Sequence, residues 1–287
     1  KRYLAVPRAY PVVLWMKYEK QVFSPKTTYF IIIIIIFAHM MQAMIFAAGL
    51  GTRLKPLTDT MPKALVRVGG EPLLKHVIMN LRNEGFTRIV VNVHHFASQI
   101  VDYLNANANF GLDIAISDET GMLLDTGGGI RKAASLFSSS PILIHNVDIL
   151  SNVCLHDFYL SAANNDATLL VSERQTKRYL LFDEDLRMRG WTNIATGEIK
   201  GDIARVDNIA SLRKYAFAGI HVFSPALFPL MQAYPEKFGI MDFYIQECDK
   251  ARIVGHPKEG LKLMDVGKAE TLSDAEAFLN SLSETKY

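Results

Sequence analysis

The sequence predicts an α/β fold: a largely parallel sheet with helices on both faces, followed by an antiparallel portion. Three observations carry this prediction. From Met44 onward, Val- and Ile-rich runs of strand length alternate with helical patterns, the order that lays helices over a parallel sheet. A glycine-rich loop, Gly49-Leu50-Gly51-Thr52-Arg53, directly follows the first such run. After Asp148 the runs read as neighbouring antiparallel strands.

Taken in order, strands are expected at Met44–Ala48, Arg88–Val93, Asp113–Ser117 and Pro141–Val147, with helices at Pro72–Glu84, Phe96–Asn105 and Gly128–Phe137 between them. In the first helix Leu73, Leu74, Val77, Ile78 and Leu81 recur at helical spacing, and Gly85 stands where a C-terminal cap belongs. Ala167–Ser172, Tyr179–Phe182 and Tyr215–Phe223 are the antiparallel candidates, with Asp183-Glu184-Asp185 as a turn. A last helix is expected at Ala269–Leu282.

With 287 residues and 49% hydrophobic content the chain can bury a large core. Cys154 and Cys248 are the two cysteines, without C-x-x-C spacing, so a disulfide framework and a structural zinc site are unsupported and a cytoplasmic, reducing setting is expected. The net charge of +2 hides an asymmetry, because residues 1–40 carry six Lys/Arg against Glu19 and hold +5, leaving −3 for the rest. The body shows no basic stripe with interleaved aromatics, so nucleic acid is excluded as a partner.

Residues 1–40 form an atypical extension. Six consecutive isoleucines, Ile31 to Ile36, sit in an apolar stretch from Tyr29 to Ala38, about half of what a membrane-crossing helix needs. No membrane span is expected. The natural start is expected at Met40, Met41 or Met44, with the domain proper at 41–287, divided into a nucleotide half at about 44–150 and a second half at about 151–287.

Gly49 and Gly51 begin a G-x-G, but Leu54 occupies the position of the third glycine of a dinucleotide fingerprint. This disfavours a hydride-transferring dinucleotide enzyme. The P-loop spacing is also absent, since Lys63 follows Gly51 by twelve residues, behind Pro62. What remains is a loop whose bare amides, with Arg53 and Lys63, suit a polyphosphate. Asp148, at the C-terminal end of a predicted strand, is where an open α/β sheet places ligand groups, and Mg²⁺ takes one or two carboxylates besides phosphate oxygens and water.

Ala47-Ala48-Gly49-Leu50-Gly51-Thr52-Arg53-Leu54-Lys55-Pro56-Leu57-Thr58, followed by Pro62-Lys63-Ala64-Leu65-Val66, resembles the signature of the sugar-1-phosphate nucleotidylyltransferases. The resemblance continues through Thr126-Gly127-Gly128-Gly129-Ile130, Asn146-x-Asp148, Phe217-Ala218-Gly219-Ile220 and Asp265-Val266-Gly267. It covers Met44 to about Leu282 and is nearest to the short branch holding mannose-1-phosphate guanylyltransferases and N-acetylmuramate-1-phosphate uridylyltransferases.

The resemblance implies a Rossmann-like nucleotidyltransferase fold of the GT-A-like kind, NTP and sugar-1-phosphate as substrates, and Mg²⁺ as cofactor; it leaves a homo-oligomer open. It implies that Arg53 holds the departing phosphates and that Lys63 lies near the reacting ones. Ala48, Gly49, Gly51, Thr52, Gly127 and Gly128 are implied on the nucleotide, Asn146 and Gly219 on the sugar, and Asp148 and Asp265 on the metal. Taken singly, Asp148 reads equally as a turn cap, Asp265 as a helix cap and Asp125-Thr126 as an N-cap. His94, His95 and His145, at strand ends without metal-ligand spacing, are expected to be structural, and Glu173-Arg174 and the Asp183 turn to be solvated.

Departures from the family pattern are Val147 between Asn146 and Asp148, Lys268 after Gly267, and Arg189-Gly190-Trp191-Thr192-Asn193 where many members carry the lysine for the acceptor phosphate. Lys177 and Arg205 are candidate substitutes. Two alternatives stand beside the sugar reading: a cytidylyltransferase for a phospho-alcohol such as choline phosphate, and an inactive nucleotide-sugar-binding regulator.

Overall fold

A computed structural model describes residues 40–162, 164–201 and 209–283; the basic leader with its isoleucine run, and Arg205, lie outside the described residues. The elements run β1 (Gln42–Phe46), β2 (Arg67–Val68), β3 (Glu71–Pro72), α1 (Leu73–Asn83), β4 (Arg88–Val93), α2 (Ala97–Ala106), β5 (Asp113–Asp118) and α3 (Asp125–Lys132). They continue with β6 (Ile142–Asn146), β7 (Ile149–Ser151), α4 (Leu155–Ser161), β8 (Ala167–Ser172), β9 (Arg178–Phe182), β10 (Met188–Asn193), β11 (Glu198–Gly201) and β12 (Arg213–Phe223). The chain then forms α5 (Phe228–Met231), α6 (Ile240–Glu247), β13 (Ile253–Pro257), β14 (Leu263–Asp265) and α7 (Leu272–Ser283).

A mixed sheet has the order β11-β10-β9-β12-β6-β1-β4-β5, with β8 pairing β12 and β13. Strands β6, β1, β4 and β5 are mutually parallel, and β12 joins antiparallel to β6. The halves expected from the sequence therefore share one sheet. Side chains alternate across it: Ala43 and Ile45 face the core completed by α1, α2, α4 and α7, and Met44 faces the core completed by α3 and α6. Burying each Leu, Ile or Phe in these layers contributes roughly 1.5–3 kcal/mol. The expected apolar stripe of α1 is buried throughout, and Gly85 closes the helix at φ 90°.

Several boundaries differ from expectation for identifiable reasons. Strand β1 starts and stops two residues early. Its buried Gln42 is held by the carbonyl of Ser140 at 2.6 Å, while the amides of Ala47 and Ala48 leave the ladder for the Asn92 side chain. The predicted helix at Gly128–Phe137 begins earlier, and its second part is a 3₁₀ turn, Ala133–Leu136. The hairpin β10–β11, the edge strand β13 and helix α6 were not anticipated. Asp183 is engaged rather than merely solvated, accepting from Arg187 N at 2.9 Å and pairing with Arg189 at 2.8 Å. Among the described residues no helix is long and apolar enough to cross a membrane.

Candidate active site

The carboxyl ends of β1, β4 and β6 open into a cleft of about 350 Å³ lined by residues that include Ala48, Gly49, Lys63, Asn92, Glu119 and Asp148. This is the edge at which open α/β sheets bind ligands. The glycine loop forms one wall. Gly51 has φ 63°, and a Cβ there would meet Thr58 Cγ2 at 2.8 Å, so glycine alone fits this turn. Thr58 Oγ1 donates to the Gly51 carbonyl at 2.8 Å and pins it. Among the described residues no protein acceptor engages the amides of Gly49, Gly51 and Thr52, which leaves them for an anion. The Ala48 amide is different: it is spent on Asn92 Oδ1 at 3.2 Å, so Ala48 shapes the cleft and donates nothing to a ligand.

The cationic and acidic residues meet beside this loop. Lys63, buried at 9% exposure, pairs with Asp148. Strand β14 lies antiparallel to β7, setting Asp265 opposite Ile149, and Val266 N donates to the Asp148 carbonyl at 2.8 Å. Asp265 is held above the usual carboxylate range, first by desolvation and then by the Asp148 charge, against the lowering pull of Lys63 and Arg53. A carboxylate whose proton affinity is raised by a neighbouring carboxylate suits a site that takes up a cation. Arg53 reaches the same place, because a Cβ on Gly267 would meet Asp265 Oδ1 at 2.6 Å and Arg53 Nη2 at 3.0 Å. Arg53, Lys63, Asp148 and Asp265, from three separate stretches of sequence, thus converge.

Other expected residues are placed differently. Gly127 and Gly128 do not present free amides to a nucleobase: both N–H groups donate to the Phe238 carbonyl, at 2.9 and 3.1 Å. Their lack of side chains admits the Phe238 ring and the Glu236 carbonyl, 2.4 and 2.5 Å from where a Cβ would stand. Thr126 Oγ1 accepts from Ile240 N at 2.9 Å and so caps α6 rather than its own helix. Asn146 packs against Gly219, whose Cβ would meet Asn146 Nδ2 at 3.0 Å, where the β12–β8 register shifts between Phe217 and His221. His145 is buried and its Nδ1 contacts the Asn146 carbonyl at 2.8 Å; desolvation pulls its pKa down to about 4. Arg174, expected to be solvated, donates to the Phe217 carbonyl at 2.9 Å.

Sequence reasoning missed three residues of this cleft. Asn92 and Glu119 are buried in it and bonded to each other. An asparagine inside a Val/Ile strand was the available signal for the first. Lys237 also lines the cleft, and nothing local in the sequence marks it.

The model of the nucleotidyl transferase family matches residues 42–281. The chain belongs to this family. It is 31% identical over 238 residues to the N-acetylmuramate alpha-1-phosphate uridylyltransferase of Neisseria meningitidis serogroup B, covering 83% of this chain and 97% of that one. It is 28% identical over 251 residues to the mannose-1-phosphate guanyltransferase of Kluyveromyces lactis, covering 85% of this chain and 66% of that one. In fold it is similar to HddC from Yersinia pseudotuberculosis complexed with GMP-PN, with TM-score 0.66 and 21% identity over 84% of this chain and all of that one. It is likewise similar to the inositol-1-phosphate CTP transferase of T. maritima, with TM-score 0.68 and 16% identity over 86% and 98% of the two chains. The protein is thus an enzyme, a sugar-1-phosphate nucleotidyltransferase that forms an NDP-sugar and pyrophosphate from an NTP and a sugar 1-phosphate.

Proposed function

We propose that this nucleotidyltransferase uses UTP and Mg²⁺, and that its product is an activated sugar made in the cytoplasm for the cell envelope. The observation that carries the site assignment is the convergence of Lys63, Asp148 and Asp265 beside a loop in which the amides of Gly49, Gly51 and Thr52 meet no protein acceptor among the described residues. The donor set fits the metal, because Mg²⁺ binds through one or two carboxylates together with substrate phosphates and water. Asp148 and Asp265 would hold it, and there it would neutralise charge on the phosphates. UTP is favoured because the uridylyltransferase relative matches over nearly its whole length, the guanyltransferase relative over 66% of it.

In this reading the residues position substrates and no protein nucleophile is needed. A phosphate oxygen of the sugar 1-phosphate attacks the α-phosphorus of the NTP in line; the new P–O bond forms as the bond to the β-phosphate oxygen breaks, and pyrophosphate leaves with the electron pair. The amides of Gly49, Gly51 and Thr52 with Arg53 hold the departing phosphates, and Lys63 leans towards the reacting one. Asn146 and Gly219 border the sugar. Residues 41–287 would be the catalytic domain, which the compactness of Met41–Tyr287 supports, with residues 1–40 outside it.

The test crosses the five common nucleoside triphosphates with a panel of sugar 1-phosphates and Mg²⁺ and reads pyrophosphate release. Release with UTP above the other four is expected. Equal release with every triphosphate would remove the UTP assignment.

A further inference from the structure

Lys63 is anchored at its root and paired at its tip. Its backbone opens a 3₁₀ turn, Lys63–Leu65, in which Val66 N donates to the Lys63 carbonyl at 3.1 Å. The base of its side chain lies on the glycine loop, since a Cβ on Gly51 would stand 3.0 Å from Lys63 Cβ. Its ammonium donates to Asp148 Oδ2, and side-chain exposures of 11% and 15% keep that pair largely out of solvent. The four-carbon stem is flexible. One side chain thus has two destinations within the same cleft: the Asp148 carboxylate, and an anion seated on the amides of Gly49, Gly51 and Thr52.

The ammonium and a metal ion compete for the same oxygens. Asp148 cannot give both of its oxygens to Mg²⁺ while Oδ2 accepts from Lys63. Arg53 stands in a similar relation to Asp265, because Arg53 Nη2 and Asp265 Oδ1 lie 3.0 and 2.6 Å from where a Cβ on Gly267 would be. Two cations therefore face two carboxylates, and the cluster balances its own charge. Taking up Mg²⁺ alone would turn Lys63 out of its pair and leave two positive charges in excess. In a poorly solvated cleft that excess is more costly than in water. A phosphate removes both penalties: its oxygens accept the displaced ammonium, and its charge offsets the excess.

We propose that Lys63 is a competing counter-ion that keeps Asp148 from Mg²⁺ until a nucleotide phosphate draws the ammonium away, so that metal and nucleotide bind cooperatively. This deepens, and rests on, the reading of the site as that of a Mg²⁺-dependent nucleotidyltransferase. It gives Lys63 a role before its contact with the reacting phosphate.

The test is calorimetric binding of Mg²⁺ to the full chain, with and without saturating UMP, in the wild type, Lys63→Gln and Lys63→Arg. In the wild type UMP is expected to tighten Mg²⁺ binding at least about fivefold, and by reciprocity Mg²⁺ tightens UMP binding by the same factor. In Lys63→Gln, Mg²⁺ alone should bind at least about tenfold tighter than to the wild type, because the competing cation is gone, and the further gain from UMP should shrink. Lys63→Arg keeps the charge and should stay within about threefold of the wild type. A lysine that served only to hold the cleft in shape would give weaker Mg²⁺ binding on removal. Mg²⁺ affinity in Lys63→Gln equal to or below that of the wild type therefore overturns the proposal. Should that variant fail to fold, independent binding of Mg²⁺ and UMP by the wild type overturns it. Binding of Mg²⁺ by no form, with or without UMP, removes the metal reading and the proposal with it, whereas uncoupled binding removes the proposal alone.

Discussion

Asn92 and Glu119 form a buried pair in which Asn92 Nδ2 donates to Glu119 Oε1 at 2.8 Å. The other end of the Asn92 amide accepts from Ala47 and Ala48 N at 2.7 and 3.2 Å, and Glu119 Oε2 accepts from Leu124 N at 3.1 Å. One side-chain pair therefore sets the exit of β1 into the glycine loop and the entry into α3. Asn92→Ala strands two buried amides and one oxygen of a buried carboxylate, at a cost of about 1–3 kcal/mol for each unsatisfied group. A fall in unfolding free energy of at least about 2 kcal/mol in urea titrations, together with weaker nucleotide binding, is expected. A loss under about 0.5 kcal/mol would show that the pair does not organise the loop.

Gly51→Ala places a side chain at φ 63° against Thr58 Cγ2, a strain of about 1–3 kcal/mol. Because Gly51 lies in a surface loop, the strain should emerge as a rearranged loop more than as global unfolding. Nucleotide affinity measured by calorimetry should drop at least about tenfold while the melting temperature changes by only a few degrees. Unchanged affinity would remove the loop from the phosphate site.

The histidines give a pH prediction with a definite sign. Desolvation lowers His145 from 6.5 to about 4 and His221 from 6.5 to about 3, and His221 Nδ1 contacts the Tyr244 hydroxyl at 2.7 Å. Below about pH 6.5 the unfolded chain takes up protons that the folded chain refuses, so stability is full above that pH and falls as pH drops towards 4 and 3. Each histidine contributes about 1.4 kcal/mol per pH unit to that slope. Urea unfolding at pH 5, 6 and 7.5 should show it, with a shallower slope in His221→Gln. An identical slope in that variant would mean that His221 is protonated in the folded protein.

Much of the fold was legible because the parallel strands are buried on both faces. Arg88–Val93 could be bounded from sequence, its last five residues all being buried. The hairpin β10–β11 was not legible: Trp191 and Asn193 sit in a run read as lacking the acceptor lysine that many members carry there, and the fully exposed β11 carries no apolar alternation. Asp148 and Asp265 could be singled out from the resemblance, since both stand in recognisable surroundings, and the structure brings them together. The packing role of the Gly127-Gly128 pair was not legible because the residues it accommodates, Glu236 and Phe238, are more than a hundred positions away in the chain. Asn92 and Glu119 were missed for the same reason: a buried polar pair shows its purpose only when both partners and the amides they hold are in place.

If Asp148, with Asp265 and Lys63, forms the reaction centre, Mg²⁺-titrated pyrophosphate release by the wild type and by Asp148→Asn tests it directly. Saturable Mg²⁺ dependence is expected in the wild type and a rate lower by orders of magnitude in the variant, with circular dichroism and melting temperature close to wild type. A wild-type rate in Asp148→Asn at the same Mg²⁺ concentration would contradict it.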